Sequence, residues 1–142
     1  MSEENVEIVR RWVEDFQAGM ERGDPGAAFD SGALAEDLEW IPTARFPGPA
    51  VYRGREGFVE FMRTWIGSFA DWSFRIERLI DAGDDQVVVL AHQTATGKGS
   101  GVPVELHLGQ VQELEDGRVI RVRNYLEHAE ALEAAGLSES DS

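Results

Sequence analysis

The stretch "GQVQELEDGRVIRVRNYLEHAEALEAAGL", residues 109–137, contains the features that decide the fold. Two runs of alternating residues flank Glu115-Asp116-Gly117, and an Asp-Gly pair in that setting predicts an antiparallel β-hairpin. The second run passes into an alanine-rich segment that predicts a helix. What can be inferred about function then depends on which face of the hairpin points into the protein.

Two registers of the hairpin are conceivable, and they distribute the side chains differently. With the two-residue loop Asp116-Gly117, Gln110 lies opposite Arg123, and each face mixes apolar with charged residues. A three-residue loop that includes Glu115 gives these opposite pairs: Gln112–Ile120, Gln110–Val122, Leu108–Asn124 and Leu106–Leu126. Only the second register separates apolar from charged side chains, so the sequence favours it.

The inward face of this register is apolar except for three amides, Gln110, Gln112 and Asn124. A buried amide without a partner costs about 1–3 kcal/mol, so these groups are expected to bond each other, water or a ligand. Two interpretations therefore stay open. The amides form a mutual network, or they form a polar handle that orients a ligand in an apolar cavity.

The outward face of the hairpin carries Glu105 and His107 together with the less polar Val111 and Tyr125. An acid beside a histidine suggests catalysis, but on this face the pair is expected to lie on the outer surface. Val111 and Tyr125 indicate that part of this surface is covered. The sequence thus predicts a homodimer formed through the outer face of the sheet.

The rest of the chain places helices first and strands second. Apolar residues at three- and four-residue steps predict a helix over 3–22 and another after Gly54. Alternation and β-branched runs predict strands over 72–76, 87–90 and from 104 into the hairpin. The predicted fold class is α+β: a cone-shaped, curved antiparallel sheet packed on N-terminal helices and enclosing an apolar pocket. It forms a single domain over 1–137, followed by a disordered acidic tail at 138–142.

Composition excludes several classes of function. The 142 residues carry 27 acidic and 13 basic side chains, a net charge of −14, which disfavours nucleic acid and anionic membranes as partners. The absence of cysteine excludes thiol chemistry and disulfides. No segment suggests a signal peptide or a membrane span, so a cytoplasmic protein is expected. No cofactor is predicted, and the wide spacing of the three histidines predicts no metal site.

Candidate site residues fall into two groups. The pocket residues share bulk or an amide group: Trp12, Phe16, Trp40, Tyr52, Trp65, Gln110, Gln112 and Asn124. The single catalytic candidate is His92, whose imidazole can act as a general base near neutral pH. Its strand has two apolar faces, so the direction of His92 stays open.

Three segments resemble the SnoaL-like branch of the nuclear-transport-factor-two-like superfamily, which also contains ketosteroid isomerases and polyketide cyclases. They are "NVEIVRRWVEDFQAGMERGD" (5–24), "VYRGREGFVEFMRTW" (51–65) and "DGRVIRVRNYLEHAEALEAAGL" (116–137). The resemblance extends over about residues 4–137. It implies a cone-shaped α+β barrel with a deep pocket and frequent homodimers, and it implies no single reaction.

The catalytic residues of these relatives do not carry over. The tyrosine, aspartate base and acidic donor of ketosteroid isomerases align approximately with Phe16, Pro42 and Gln110. The aspartate of the cyclases corresponds to a region where Asn124 and Leu126 point inward and Glu127 points away.

The sequence therefore predicts a protein that binds a small hydrophobic molecule with a carbonyl or ring. The alternative is an isomerase, cyclase or hydrolase in which His92 or a bound water moves a proton. Gln110 and Asn124 would then polarise an oxygen of the substrate.

Overall fold

The computed structural model describes residues 2–43 and 47–137; the predicted acidic tail lies outside them. The helices are α1 (Ser2–Met20), α2 (Gly54–Gly67) and α3 (His128–Ala134), with a 3-10 helix at Pro25–Phe29. Asp24 begins the 3-10 helix by accepting a hydrogen bond from the Gly26 amide. No helix among the described residues is long and apolar enough to cross a membrane.

Seven strands form one curved sheet. They are β1 (Leu34–Ile41), β2 (Tyr52–Arg53), β3 (Phe69–Gly83), β4 (Gln86–Gly97), β5 (Pro103–Leu106), β6 (Gly109–Glu115) and β7 (Arg118–Tyr125). Their order is β2-β1-β7-β6-β4-β3, and β5 also pairs with β4. The α+β class is as predicted, but the sheet is mixed because β1 runs parallel to β7.

Neither predicted register of the hairpin is the one that forms. Glu115 pairs with Arg118 across the two-residue turn Asp116-Gly117, whose φ angles of 52° and 76° suit a type I′ turn. Ile120 then bulges, so that Gln110 lies opposite Asn124. Because of this extra residue, apolar and charged side chains still lie on opposite faces of the hairpin, which is the property for which the sequence favoured the three-residue loop.

The predicted strand from 104 into the hairpin is interrupted. β5 and β6 both pair with β4, and His107 lies in the break between them. Leu106 consequently pairs with Gln93, and its predicted pairing with Leu126 is wrong. The amide of Ala91 in β4 still donates to the carbonyl of Leu108 at 2.8 Å, so the connection between β5 and β6 remains bonded to β4.

The sheet has a buried cluster on each face. The concave face packs against α1 and α2 in the main core, which includes Trp12, Phe58 and Val122. The convex face is covered by α3, which buries Val111 and packs against Tyr125. The chain's own helix thus accounts for the covering that suggested a second copy, and the homodimer stays a prediction.

Candidate ligand pocket

A cavity lies between the concave face of the sheet and the helices α1 and α2. Aromatic residues from four elements line it: Trp12, Phe16, Trp40, Phe61, Trp65, Trp72 and Phe74. Many of the rings meet edge to face; the centroids of Trp12 and Trp40, for example, are 6.4 Å apart at 84°. All four tryptophans of the chain line the cavity.

The free volume of the cavity is about 60 Å³. A buried water needs roughly 10–15 Å³ on this kind of measure, so the space holds a few waters or a molecule of a few heavy atoms. Trp65 and Trp72 are half-buried, and Met62 is a flexible lining side chain. A larger ring fits only if one of these side chains moves.

The three predicted amides form a directed chain of hydrogen bonds. The indole Nε1 of Trp12 donates to Gln112 Oε1 at 3.0 Å, and Gln112 Nε2 donates to Gln110 Oε1 at 2.8 Å. Gln110 Nε2 donates to Asn124 Oδ1 at 2.9 Å, and Asn124 Nδ2 ends the chain on the carbonyl of Ile41 at 2.9 Å. The mutual network is therefore real, and its direction is fixed at both ends by groups that only donate or only accept.

Gln110 and Asn124 are members of this network and also line the cavity. Each amide nitrogen carries two hydrogens and uses one of them within the chain. Among the described residues, each nitrogen therefore has a second hydrogen that the amide chain does not use. The two interpretations that the sequence left open are compatible, since the network orients the same groups that face the cavity.

Gln93 forms a second polar point on the wall, and sequence reasoning missed it. Its Oε1 accepts hydrogen bonds from Trp72 Nε1 at 3.0 Å and from Trp65 Nε1 at 3.3 Å. The signal was present in the sequence, because the apolar face made by Val89 and Ala91 continues to Gln93.

Trp40 contributes a buried donor without an acceptor. Its Nε1 has no hydrogen-bond partner among the described residues, although the side chain is 2% exposed. A buried N–H in this state costs free energy unless a bound molecule accepts from it. Trp40 Nε1 and the amide nitrogens thus give the cavity wall donors that an acceptor group on a ligand can use, while the oxygens of Gln110 and Asn124 each accept one hydrogen bond within the amide chain and have a second lone pair.

Six of the eight predicted pocket residues line the cavity, and two stand behind its wall. The lining residues are Trp12, Phe16, Trp40, Trp65, Gln110 and Asn124. Gln112 supports Gln110 from within the core. Tyr52 packs its ring against Phe61, at 5.4 Å between centroids, and burial raises the pKa of its hydroxyl.

The predicted catalytic residue lies on the other face of the sheet. Ala91 and Gln93 point into the cavity, so His92 between them points outward, where its Nε2 is 3.2 Å from Glu105 Oε1. Its position does not allow proton transfer in the cavity. Among the described residues, no carboxylate, histidine, lysine, arginine or tyrosine lines the cavity.

The positions that align with ketosteroid isomerase residues do line the cavity. Phe16, Pro42 and Gln110 are all in its wall, and none can exchange a proton at ordinary pH. The cavity thus occupies the expected place without the corresponding acid and base. Asn124 lines the cavity and Glu127 is exposed, as expected from the sequence, but Leu126, which was also expected to point inward, is not among the residues of the cavity wall.

The curved sheet, the helices on its concave face and the apolar cavity between them define an α+β cone of the nuclear-transport-factor-two-like class. The family model of the SnoaL-like domain matches residues 9–122, and the chain belongs to that family. No protein with a curated function matches the sequence significantly.

Solved structures share this fold at low sequence identity. A putative SnoaL-like polyketide cyclase from Jannaschia sp. CCS1 is 23% identical, with a TM-score of 0.69 over 86% of this chain and 84% of that one. A protein of unknown function from Burkholderia pseudomallei is 22% identical, with a TM-score of 0.69 over 92% and 95%. TerC, co-crystallised with polyporic acid, is 17% identical, with a TM-score of 0.69 over 94% and 98%.

Proposed function

We propose that this protein binds a small, uncharged, mainly apolar molecule that carries a hydrogen-bond acceptor such as a carbonyl oxygen. One observation carries the proposal. Within the described residues, the polar side chains on the cavity wall are all neutral, and the buried Trp40 Nε1 among them is a donor without an acceptor. An apolar wall with a few fixed polar groups is the usual design of a small-molecule site.

Each polar group supports a particular feature of the ligand. The aromatic wall favours a ring or a branched hydrocarbon, because it offers dispersion contacts on several sides. The donors of Gln110, Asn124 and Trp40 favour an acceptor oxygen. A carboxylate ligand is disfavoured, because no described cation lines the cavity to offset the loss of hydration.

Binding without catalysis is the function that the side chains support best. General acid–base catalysis needs a titratable group within about 3.2 Å of the transferred proton. His92, proposed for that role from the sequence, lies behind the strand, and amides do not exchange protons at ordinary pH. TerC, a structural relative, was co-crystallised with polyporic acid, which is consistent with ligand binding in this fold.

A matched pair of probes tests the proposal. Cyclopentanone and methylenecyclopentane have nearly the same shape, but only the ketone accepts a strong hydrogen bond. The four indole N–H signals in a proton–nitrogen correlation spectrum report directly on the wall, since all four tryptophans line it. We expect saturable shifts with both probes and tighter binding of the ketone, by about 10-fold for one added hydrogen bond.

A cavity-filling variant provides the control. Ala91→Leu places a larger side chain in the cavity and should abolish the shifts. Thr94→Leu places the same leucine side chain on the exposed outer face of the same strand and should preserve them. Equal affinity for the two probes would show that the site does not select a ligand for its hydrogen-bond acceptor. Absence of any saturable shift would contradict the proposal that the cavity binds a small molecule.

The same ketone distinguishes binding from enzymatic proton transfer. Its α-protons exchange slowly in deuterated buffer, and an isomerase-like site would accelerate that exchange. We expect no acceleration by the protein beyond that of the buffer. Saturable acceleration that Ala91→Leu abolishes would instead establish the enzyme alternative.

A further inference from the structure

All three histidines of the chain gather on the convex face of the sheet. His92 comes from β4, His107 from the break between β5 and β6, and His128 from the first turn of α3. The ring centroids of His92 and His107 are 5.0 Å apart, and those of His107 and His128 are 5.6 Å apart. Their wide spacing in the sequence predicted no metal site, but the fold brings the three rings close together.

Two of these imidazoles contact one carboxylate oxygen. His92 Nε2 lies 3.2 Å from Glu105 Oε1, and His107 Nε2 lies 3.3 Å from the same atom. His92, Glu105 and His107 can each offer one ligand atom, and these three atoms all lie within 4.8 Å of one another. Two ligand atoms on a tetrahedral zinc ion, each about 2.0–2.1 Å from the metal, are roughly 3.3 Å apart. The contacts to the oxygen already have the separation that an ion would require.

The surroundings also resemble those of a metal site. His128 Nε2 lies 3.0 Å from the carbonyl of Ala91, and a carbonyl can only accept, so this nitrogen carries the hydrogen. The lone pair of His128 is thereby left on Nδ1. Ligand atoms of His128, Glu77 and His107 also approach within 4.8 Å of one another. Histidines that bind metals commonly donate their second N–H to a carbonyl in this way.

We propose that His92, Glu105 and His107 form a surface site for a divalent transition-metal ion, with zinc as the best fit. Two imidazoles and one carboxylate are a frequent zinc donor set, whereas magnesium and calcium prefer oxygen ligands alone. The fourth position is open to water or to His128. The net charge of −14 favours the approach of a cation.

Solvent exposure agrees with such a site. The side chains of Glu105 and His107 are 62% and 57% exposed, so an ion reaches them directly from solvent. An ion bound here joins β4 to the connection between β5 and β6, on the side of the sheet opposite the ligand pocket.

Calorimetric titration of the untagged, chelator-treated full chain with Zn²⁺ tests this site. We expect saturation at one ion per chain. His92→Gln, Glu105→Gln and His107→Gln should each weaken binding at least 10-fold. Glu115→Gln, which removes an exposed carboxylate at the end of β6, should leave it unchanged. Co²⁺ should develop visible absorption in the wild type and lose it in the three variants.

Circular dichroism and thermal unfolding confirm that each variant is folded before binding is compared. The proposal is overturned if the wild type shows no saturable zinc uptake below about 1 mM. It is equally overturned if the folded Glu105→Gln and His92→Gln variants bind zinc as tightly as the wild type. Mg²⁺ at equal concentration should not compete, and effective competition by Mg²⁺ would exclude an imidazole-based site.

Discussion

Gln110 and Asn124 lie directly opposite each other on β6 and β7, and Gln110 Nε2 donates to Asn124 Oδ1 at 2.9 Å. The pair exists because Ile120 bulges out of β7 and shifts the strand by the residue needed to align the two amides. The turn, the bulge and the polar part of the pocket are thus parts of one arrangement.

Gln110→Leu should destabilise the protein by about 2–4 kcal/mol, because Gln112 Nε2 and Asn124 Oδ1 each lose a buried partner. Urea unfolding measures the loss. The same change at the exposed Gln17 should alter stability by less than about 0.5 kcal/mol.

A double-mutant cycle with Asn124→Leu separates the network from simple packing. The double variant should cost less than the sum of the single ones, by about 0.5–3 kcal/mol, since each single change leaves its partner unpaired. Additive losses would show that the two amides act independently.

Glu39 should make stability fall in acid. Hydrogen bonds from Arg121 and then Arg53 lower the pKa of Glu39 from 4.5, so folding favours its ionised form. This contribution is complete above pH 4.5 and is lost as the pH falls through the lower pKa of the folded state. We expect the unfolding free energy of Glu39→Gln to fall less steeply than that of the wild type below pH 4.5. The total contribution of Glu39 to this fall is at most about 1 kcal/mol, because solvent screens the group. An unchanged slope in the variant would contradict this assignment.

Gly109→Ala should loosen α3. A Cβ at Gly109 would lie 2.6 Å from the Cβ of Ala131, which is closer than carbon atoms tolerate. The expected loss is about 1–3 kcal/mol, with faster amide hydrogen exchange in α3. Gly67→Ala is the control, because nothing lies within 4 Å of its added carbon. Equal exchange in the two variants would mean that α3 does not depend on this close contact.

Local patterns in the sequence predicted much of the secondary structure and the division of faces. The helical stripe that predicted a helix over 3–22 corresponds to Ser2–Met20, and the separation of apolar from charged residues placed Gln110, Gln112 and Asn124 inward. These features follow from periodicity within a segment, and a segment carries that information by itself.

Features that depend on pairs of distant segments were missed. The parallel pairing of β1 with β7 and the bulge at Ile120 both follow from how strands meet. The gathering of the histidines has the same origin. His92 and His107 are 15 residues apart in number, yet β4 and β5 pair so that both contact Glu105.

The most direct test of the central claim is a crystal structure of the protein with cyclopentanone. We predict density for the ketone inside the cone, with its oxygen within about 3.2 Å of a donor on Gln110, Asn124, Trp40 or Gln93. Met62, Trp65 or Trp72 should move to admit the ring. A cavity that stays empty at saturating ketone, or a ketone bound only outside the cone, would contradict the account.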